Sequence, residues 1–311
     1  MMASALLTLD FWESVLAGGL RLGVPVGIAA AGELVGERSG TLNLGVEGTM
    51  ALGALAGVAG AVTAGVAGGL VAGLLVGALA GLLFAWLVLG RRANEVVIGF
   101  AFSLGGVGLA TFLYRTGYDR PPAIRPLGAW KVPGLSEIPV VGPVLFDQPV
   151  VVWLLPLLLV GIALMFRSTR FGLELRAAGD NPEAARARGV DVPRVRVAGV
   201  VIAGALGGLG GAVLAAGIVG EYSDQIIGGR GFVALALVIA ARWRPMWLLP
   251  TAWGIGALQA FQLNVQTSGG LGLPVELLRA LPYLVTLAVL AVGLGRTGAP
   301  RALGRLTQEG A

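Results

Sequence analysis

The sequence GERSGTLNLGVEGTM, residues 36 to 50, lies between two long apolar stretches and carries Glu37, Arg38, Asn43 and Glu47. Glycine at positions 36, 40, 45 and 48 makes a regular helix costly here. If the flanking stretches lie in a membrane, irregular backbone is tolerated only inside protein or beside a water-filled cavity. We therefore expect interrupted helices that line a wet interior. The alternative is a plain cytoplasmic turn over residues 36 to 45, with Glu37 and Arg38 in water.

The composition is that of a membrane protein. Of 311 residues, 56% are hydrophobic and 13% charged, with a mean hydropathy of +0.85, whereas soluble domains carry about 25% charged residues. The net charge of +5 fits loops that face anionic lipid headgroups, and we expect no nucleic acid partner. The absence of Cys and His removes disulfides, thiol nucleophiles, imidazole acid–base chemistry and most zinc sites. We expect no metal site and no catalytic residue.

Apolar runs long enough to cross a bilayer define an all-α, polytopic bundle, treated as a single transmembrane domain over residues 1 to 311. The run GFVALALVIAA after Arg230 is too short to cross alone. Eight to ten crossings are expected, with nine as the best count. The amino terminus carries Asp10 and Glu13 without a basic region, so we expect the first helix to stay in the mature protein. The candidate spans cover residues 14 to 35, 46 to 66, 69 to 90, 95 to 114, 150 to 167, 196 to 219, 246 to 262 and 276 to 295.

The distribution of arginine predicts the orientation. Seven arginines lie between Arg167 and Arg196, and loops rich in Lys and Arg face the cytoplasm. The loop at 91 to 92, the RWRP turn and the carboxy terminus fall on the same side. The Pro-rich loop over residues 115 to 149 then lies outside. The predicted location is the cell membrane.

The opening segment has an echo later in the chain. The sequence GERS at 36 to 39 recurs as GEYS at 220 to 223, and Glu47-Gly48 matches Arg230-Gly231 with one residue of slippage. The two copies are separated by an odd number of predicted crossings and would run in opposite senses. Inverted repeats with broken helices are a recurrent plan of transporters. The echo therefore raises the hypothesis of an inverted repeat with a solute path at its interface.

Both polar segments offer hydroxyl, amide and charged groups to a polar solute. These groups could equally satisfy loop backbone, and the sequence leaves both interpretations open. A third polar region, Gln259, Gln262, Asn264 and Gln266, could contact solute or serve as interhelical hydrogen bonds. The candidates for the substrate pathway are Ser39, Asn43, Glu47, Ser223, Asp224, Gln225 and Arg230, with Thr41 as a further hydroxyl.

The cytoplasmic loop over residues 168 to 195 contains a very short helix. Asp180 and Asn181 are capping residues, Pro182 takes the first helical position and Gly189 ends the helix. Glu183 lies in the first turn, and Arg186 and Arg188 lie near the end, as the helix dipole favours. Helices this short are marginal in water, so we expect it to be ordered by docking on another protein. A bare capped loop is the alternative.

Three stretches, GERSGTLNLGVEGTMALGA, RAAGDNPEAARARGVDV and GGRGFVALALVIAARWRP, resemble the permease subunits of bacterial ABC importers in the branched-chain amino acid and simple-sugar superfamily, closest to the nucleoside-uptake branch. The resemblance covers nearly the whole chain. It implies an ABC ATPase subunit, a second permease, preferably a different chain, and an extracytoplasmic substrate-binding protein. It also implies that a coupling helix docks on the ATPase through Asn181, Pro182, Glu183, Ala184, Ala185 and Gly189.

Within this resemblance the chain is expected to hydrolyse nothing. Its only lysine is Lys131, and it contains no GxxxxGK[ST] phosphate loop, so ATP and Mg²⁺ are expected on the partner and no cofactor in this chain. A nucleoside would suit Asn43 and Ser39, with stacking on Phe232 or Trp243. The alternatives are a permease for a simple sugar or branched-chain amino acid, and a secondary transporter coupled to protons through Glu47 or Glu221. An intramembrane enzyme finds no supporting motif.

Overall fold

The computed structural model describes residues 8–118, 122, 124–267 and 298–305, with isolated positions 280, 284, 285, 287, 288 and 291. Helices dominate this part of the chain, and one small antiparallel pair of strands, β1 (Ala129–Lys131) and β2 (Asp147–Pro149), is added in the predicted external loop. The helices are α1 (Leu9–Arg38), α2 (Val46–Ala85), α3 (Glu95–Gly117), α4 (Leu154–Ser168), α5 (Arg170–Asp180), α6 (Pro182–Ala187), α7 (Val192–Ala212), α8 (Arg230–Ala240) and α9 (Pro245–Thr267).

Five helical segments of the described residues are long and apolar enough to cross a membrane, which confirms the polytopic all-α class. The 45-residue segment Val46–Gly90 includes α2 and is broken by non-helical backbone at Ala64 and Gly65. Its halves fold back on each other, since a Cβ added at Gly69 would lie 2.9 Å from the Ala61 Cβ. The two predicted spans over 46 to 66 and 69 to 90 correspond to the two halves of this segment. The segments are Leu9–Arg38, Val46–Gly90, Glu95–Gly117, Val150–Ser168 and Val192–Val219.

The core is built from α1, α2 and α7, which approach each other closely through small residues. A Cβ added at Gly57 would lie 2.7 Å from the Ala212 Cα, and one at Gly77 would lie 2.8 Å from the Gly208 Cα. Without a hydrophobic force between helices in lipid, such close backbone approach supplies the packing energy. Many glycines of these three helices therefore serve helix contact.

One end of the bundle gathers the arginine-rich segments, and we call it the Arg-rich end. It comprises α5, α6, the turn 241–244 between α8 and α9, and the tail 298–305. The Ala302 amide donates to the Gly179 carbonyl at 2.9 Å, and Arg38 donates to the Trp243 carbonyl. The predicted last span, 276 to 295, falls outside the described ranges, so the count of nine stays a prediction.

Candidate functional site at two interrupted helices

The segment 39–45 joins α1 to α2 in irregular backbone and is buried. Ser39 and Asn43 are 0% and 3% exposed. The Ser39 hydroxyl donates to the Gly36 carbonyl at 2.6 Å, and the Asn43 amide donates to Glu33 at 3.0 Å while its oxygen accepts the Gly45 N–H at 2.9 Å. Glu37 is 2% exposed. The plain solvated turn is therefore wrong, and the expectation of irregular backbone inside the protein is confirmed.

Helix α3 completes this buried polar cluster. The Leu42 amide donates to a Glu95 carboxylate oxygen at 2.9 Å, and the Ser103 hydroxyl donates to the Leu44 carbonyl at 2.6 Å. Three buried oxygens of the cluster have no hydrogen-bond partner among the described residues: Glu33 Oε2, Thr41 Oγ1 and Glu95 Oε1. Buried oxygens are normally satisfied by protein or water, so this cluster is suited to border a hydrated space.

Glu47 joins the two interrupted segments. One carboxylate oxygen accepts the Gly229 N–H and the other accepts the Gly231 N–H, each at 2.7 Å. These amides belong to the start of α8, where unpaired N–H groups and the helix dipole favour an anion. Glu47 lies in the first turn of α2. The Glu47 carboxylate therefore caps the start of α8, although Glu47 lies 182 positions from Gly229 and 184 from Gly231.

The contact between the two helix starts lies about halfway through the bundle. Helix α8 has 11 residues, which span about 16 Å, and it ends at the Arg-rich end beside Trp243. The hydrocarbon core of a bilayer is about 30 Å thick. Helix α2 first runs alongside α7, with Thr49 beside Gly207 and Gly57 beside Ala212, and so leads away from the Arg-rich end. The two helices run in opposite senses, which agrees with the inverted-repeat hypothesis.

The other pathway candidates lie beyond this contact, in the segment 220–229 and at the start of α8. Ser223 and Gln225 are exposed, whereas Asp224 and Arg230 are half-buried. Arg115 of α3 forms an ion pair with Asp224, and the Arg230 guanidinium donates to the Ile226 and Ile227 carbonyls at 2.9 and 3.2 Å. The structure thus divides the candidates between two levels on either side of Glu47.

An aromatic ring of α3 packs against the segment 220–229. Tyr114 and Tyr222 pack with ring centroids 4.7 Å apart, and burial, with a smaller contribution from the charge of Asp224, raises the pKa of Tyr222. The Ile124 amide donates to the Gly220 carbonyl at 2.7 Å, so the loop after α3 covers this segment.

The aromatic residues named for stacking are differently placed. Phe232 is 42% exposed, near the start of α8, whereas Trp243 is 5% exposed at the Arg-rich end. The Trp243 indole donates to the Glu37 carboxylate, so its ring packs in the core. In this conformation Trp243 does not face the segment 220–229.

The amides of α9 serve helix contact where the structure describes their bonds. The Asn264 oxygen accepts from Ser14 of α1 at 3.1 Å, and its amide donates to the Ala260 carbonyl at 2.9 Å. The interhelical interpretation is therefore supported for Asn264. Gln259 is 9% exposed, and its side-chain oxygen has no partner among the described residues.

The short helix predicted in the Arg-rich loop is present as α6. The Asn181 side chain accepts the Ala184 N–H at 3.0 Å, Pro182 is the first helical residue and Gly189 has a φ of +83°. The assignment of Asp180 as a capping residue is wrong, because Asp180 is the last residue of α5, a helix that sequence inspection missed. Ala185 is buried, whereas Glu183 is exposed.

Several residues of the cluster were missed by sequence reasoning. Glu33 lies within an apolar run and Glu95 at the start of one, and only their charge in such a context could have singled them out. The Arg196 guanidinium donates to the Ser39 carbonyl at 3.3 Å, a contact between residues 157 positions apart that no local pattern encodes.

Long apolar helices, buried irregular segments and two helix starts that meet at mid-depth define a multi-pass membrane protein built like a transporter. The family model of the branched-chain amino acid transport system permease component matches residues 15–290. The chain belongs to this family of ABC transporter permeases, whose members are not themselves enzymes.

Individual relatives differ in the substrate that they are named for. The chain is 36% identical over 218 residues to the nucleoside ABC transporter permease protein NupC of Lactococcus lactis, covering 68% of each protein. It is 32% identical over 294 residues to the putative glucose ABC transporter permease protein TsgC13 of Haloferax volcanii, covering 88% of this chain and 89% of that protein. A second Lactococcus permease named for nucleosides, NupB, is 30% identical over 133 residues, or 42% of this chain and 35% of that one. No solved structure matches this chain.

Proposed function

We propose that this chain is one of two permease subunits of a nucleoside importer in the cell membrane, driven by ATP hydrolysis on a separate subunit. ATP and Mg²⁺ belong to that ATPase, and this chain holds no cofactor. A substrate-binding protein delivers the nucleoside from outside. The similarity to NupC supports the nucleoside, and the existence of NupB beside NupC in one organism supports a heterodimer of two permeases.

The observation that carries the proposal is that the short helix α6 is ordered and exposed at the Arg-rich end. Six residues are too few to form a stable helix alone, and this helix is held by its Asn181 cap and by the buried Ala185. Its other side presents Glu183 and Ala184 to solvent. Helix α6 is thus a rigid, exposed protrusion at the Arg-rich end, suited to transmit motion from a docked ATPase.

The solute path runs between the segments 39–48 and 223–230. The groups on it are those of the two levels described above, Ser39, Asn43 and Glu47 on one side and Ser223, Asp224, Gln225 and Arg230 on the other. Irregular backbone and buried oxygens without protein partners favour a hydrated path there. As the transporter alternates between its outward-open and inward-open states, the path closes and opens at the contact made by Glu47.

The Arg-rich end faces the cytoplasm, and the carboxy terminus lies on that side. The arginine content of α5 to α7 supports this orientation. The tail supports it as well, because Ala302 bonds to Gly179 beside α6. Lipid surrounds the exposed apolar faces of α3 and α4.

The experiment is uptake by vesicles that contain the permease pair, its ATPase and its binding protein. Labelled nucleosides, simple sugars and branched-chain amino acids are offered with and without ATP. We expect ATP-dependent uptake of nucleosides. Uptake of glucose instead would show that the substrate is a sugar. Uptake driven by a pH gradient without the ATPase would show that the protein is a secondary transporter.

The role of α6 is tested by Glu183→Lys. We expect this change to abolish transport and co-purification of the ATPase, because it reverses a charge on the docking surface while leaving a solvent-exposed side chain. Glu137→Lys, the same change at an exposed position of the opposite loop, is the control and should transport normally. Equal uptake by the two variants would remove α6 from coupling.

A further inference from the structure

A cavity of about 290 Å³ lies at the Arg-rich end, between α1, α4, α5 and the turn that joins α8 to α9. Each of these four elements contributes one arginine, and the remaining lining is mainly apolar. We call it the four-arginine cavity. Its lining residues are Arg38, Arg167, Arg176, Arg244, Ala163, Phe166, Trp243 and Pro245.

One wall of the cavity is held rigidly. The Arg38 guanidinium donates twice to the Trp243 carbonyl, at 3.2 Å from Nε and 2.9 Å from the second nitrogen. Trp243 and Arg242 both adopt left-handed backbone, with φ of 53° and 55°, and the Trp243 indole is fastened to Glu37. The turn is thus fixed from both its main chain and its side chain, so the wall is formed before any ligand binds.

The four arginines of the cavity have no direct counter-ion among the described residues. None of its four arginines forms an ion pair with a described carboxylate, and the Arg176 Nε is buried without a hydrogen-bond partner. Asp180 acts electrostatically on Arg38, but Arg176 and Arg244 repel it, and Glu37 is turned to the Trp243 indole. Clustered cations of this kind favour an anion, and guanidinium groups match the oxygens of phosphate.

The surroundings of the cavity point to a lipid phosphate. Arg167 lies in the last turn of the membrane-spanning helix α4, and Ala163 and Phe166 of the same helix line the cavity. Leu164 beside them is 56% exposed, and Met246 and Trp247 at the start of α9 are 53% and 57% exposed. A charged recess bordered by exposed apolar side chains suits an amphiphile with its headgroup in the recess and its chains along the helices.

We propose that the four-arginine cavity binds the phosphate of an anionic phospholipid. Its lining residues are different from those proposed for the solute path.

The test uses the full-length chain purified in detergent. Thermal unfolding is measured with added phosphatidylglycerol, phosphatidylcholine or inorganic phosphate at millimolar concentration, and retained lipids are identified by native mass spectrometry. The test variant is Arg176→Gln/Arg244→Gln. The control is Arg170→Gln/Arg301→Gln, which removes two exposed arginines of the same end that lie outside the cavity. Arg176→Lys/Arg244→Lys, which keeps the charge, guards against a loss caused by misfolding.

We expect phosphatidylglycerol to stabilise the parent chain and the control more than phosphatidylcholine does. Each lost arginine should weaken binding about fivefold, so the test variant should bind about 25-fold more weakly, and the lysine variant should fall between them. Equal retention of phosphatidylglycerol by the test and control variants would overturn the proposal. Full protection by inorganic phosphate alone would show that the ligand is a soluble phosphate and not a lipid.

Discussion

Replacing Glu47 by Gln tests whether the two interrupted segments are fastened to each other. The carboxylate accepts two N–H groups of the α8 start at 2.7 Å each. Glutamine has one accepting oxygen, and its NH₂ group would face the second N–H. Hydrogen bonds to a charged group contribute roughly 1.5–3 kcal/mol, and a buried N–H left without a partner costs a further 1–3 kcal/mol or so.

The expected loss in the free energy of unfolding is therefore about 3–5 kcal/mol. For domains of roughly 150 to 250 residues, 1 kcal/mol corresponds to about 2–4 °C, so the midpoint of thermal unfolding should fall by about 10 °C. The assay is fluorescence-detected size exclusion after heating of the detergent-purified chain. Glu137→Gln, an exposed glutamate of the loop before β2, is the matched control and should unfold with the parent. If Glu47→Gln unfolds within about 2 °C of that control, the bond energies assigned here are wrong.

Two further substitutions probe helix contact and capping. Gly106→Ala would place a Cβ 2.6 Å from the Gly48 Cα, whereas Gly105 of the same helix has nothing within 4 Å of the added atom; we expect Gly106→Ala to lower the unfolding midpoint and Gly105→Ala to leave it unchanged or raise it slightly. Asn181→Ala removes the cap of α6 and should speed amide hydrogen exchange in that helix by about 2- to 30-fold, since a cap contributes roughly 0.5–2 kcal/mol.

Clear outcomes would contradict these expectations. Equal midpoints for the Gly106 and Gly105 variants would mean that α3 can move away from α2 without cost. For the cap, Asn181→Ser retains an accepting oxygen and serves as the control. Exchange in the Ala variant no faster than in the Ser variant would show that α6 is held by the packing of Ala185 alone.

The sequence predicted features that depend on neighbours along the chain. Hydropathy located the five segments that are long and apolar enough to cross a membrane, including the break near residue 65, because apolar composition and length decide membrane insertion. The predicted span over 246 to 262 is a helix but is not among these five. The cap of α6 was predicted because Asn181, Pro182 and Gly189 act on the backbone within a few residues. Asp180 was misassigned because α5, a half-polar helix of 11 residues, has no apolar run of its own to reveal it.

The geometry of the candidate site was less predictable, because its bonds join distant positions. The polarity of residues 36 to 48 indicated a buried interruption, and the echo at 220 indicated a second one. Nothing in either segment shows that Glu47 accepts the amides of Gly229 and Gly231, or that Trp243 turns away from the path to Glu37, 206 positions earlier. Such contacts depend on how α1, α2, α7 and α8 pack as a whole.

The carboxylate of Glu47 also constrains how the protein can move. If α2 and α8 separate, the hydrogen bonds between the Glu47 carboxylate and the two amides break at a depth where lipid offers no other hydrogen-bond partner. The separation becomes affordable only when water reaches them. Entry of water into the solute path and separation of α2 from α8 are then a single event. A solute that arrives with its own water of hydration would itself favour this separation.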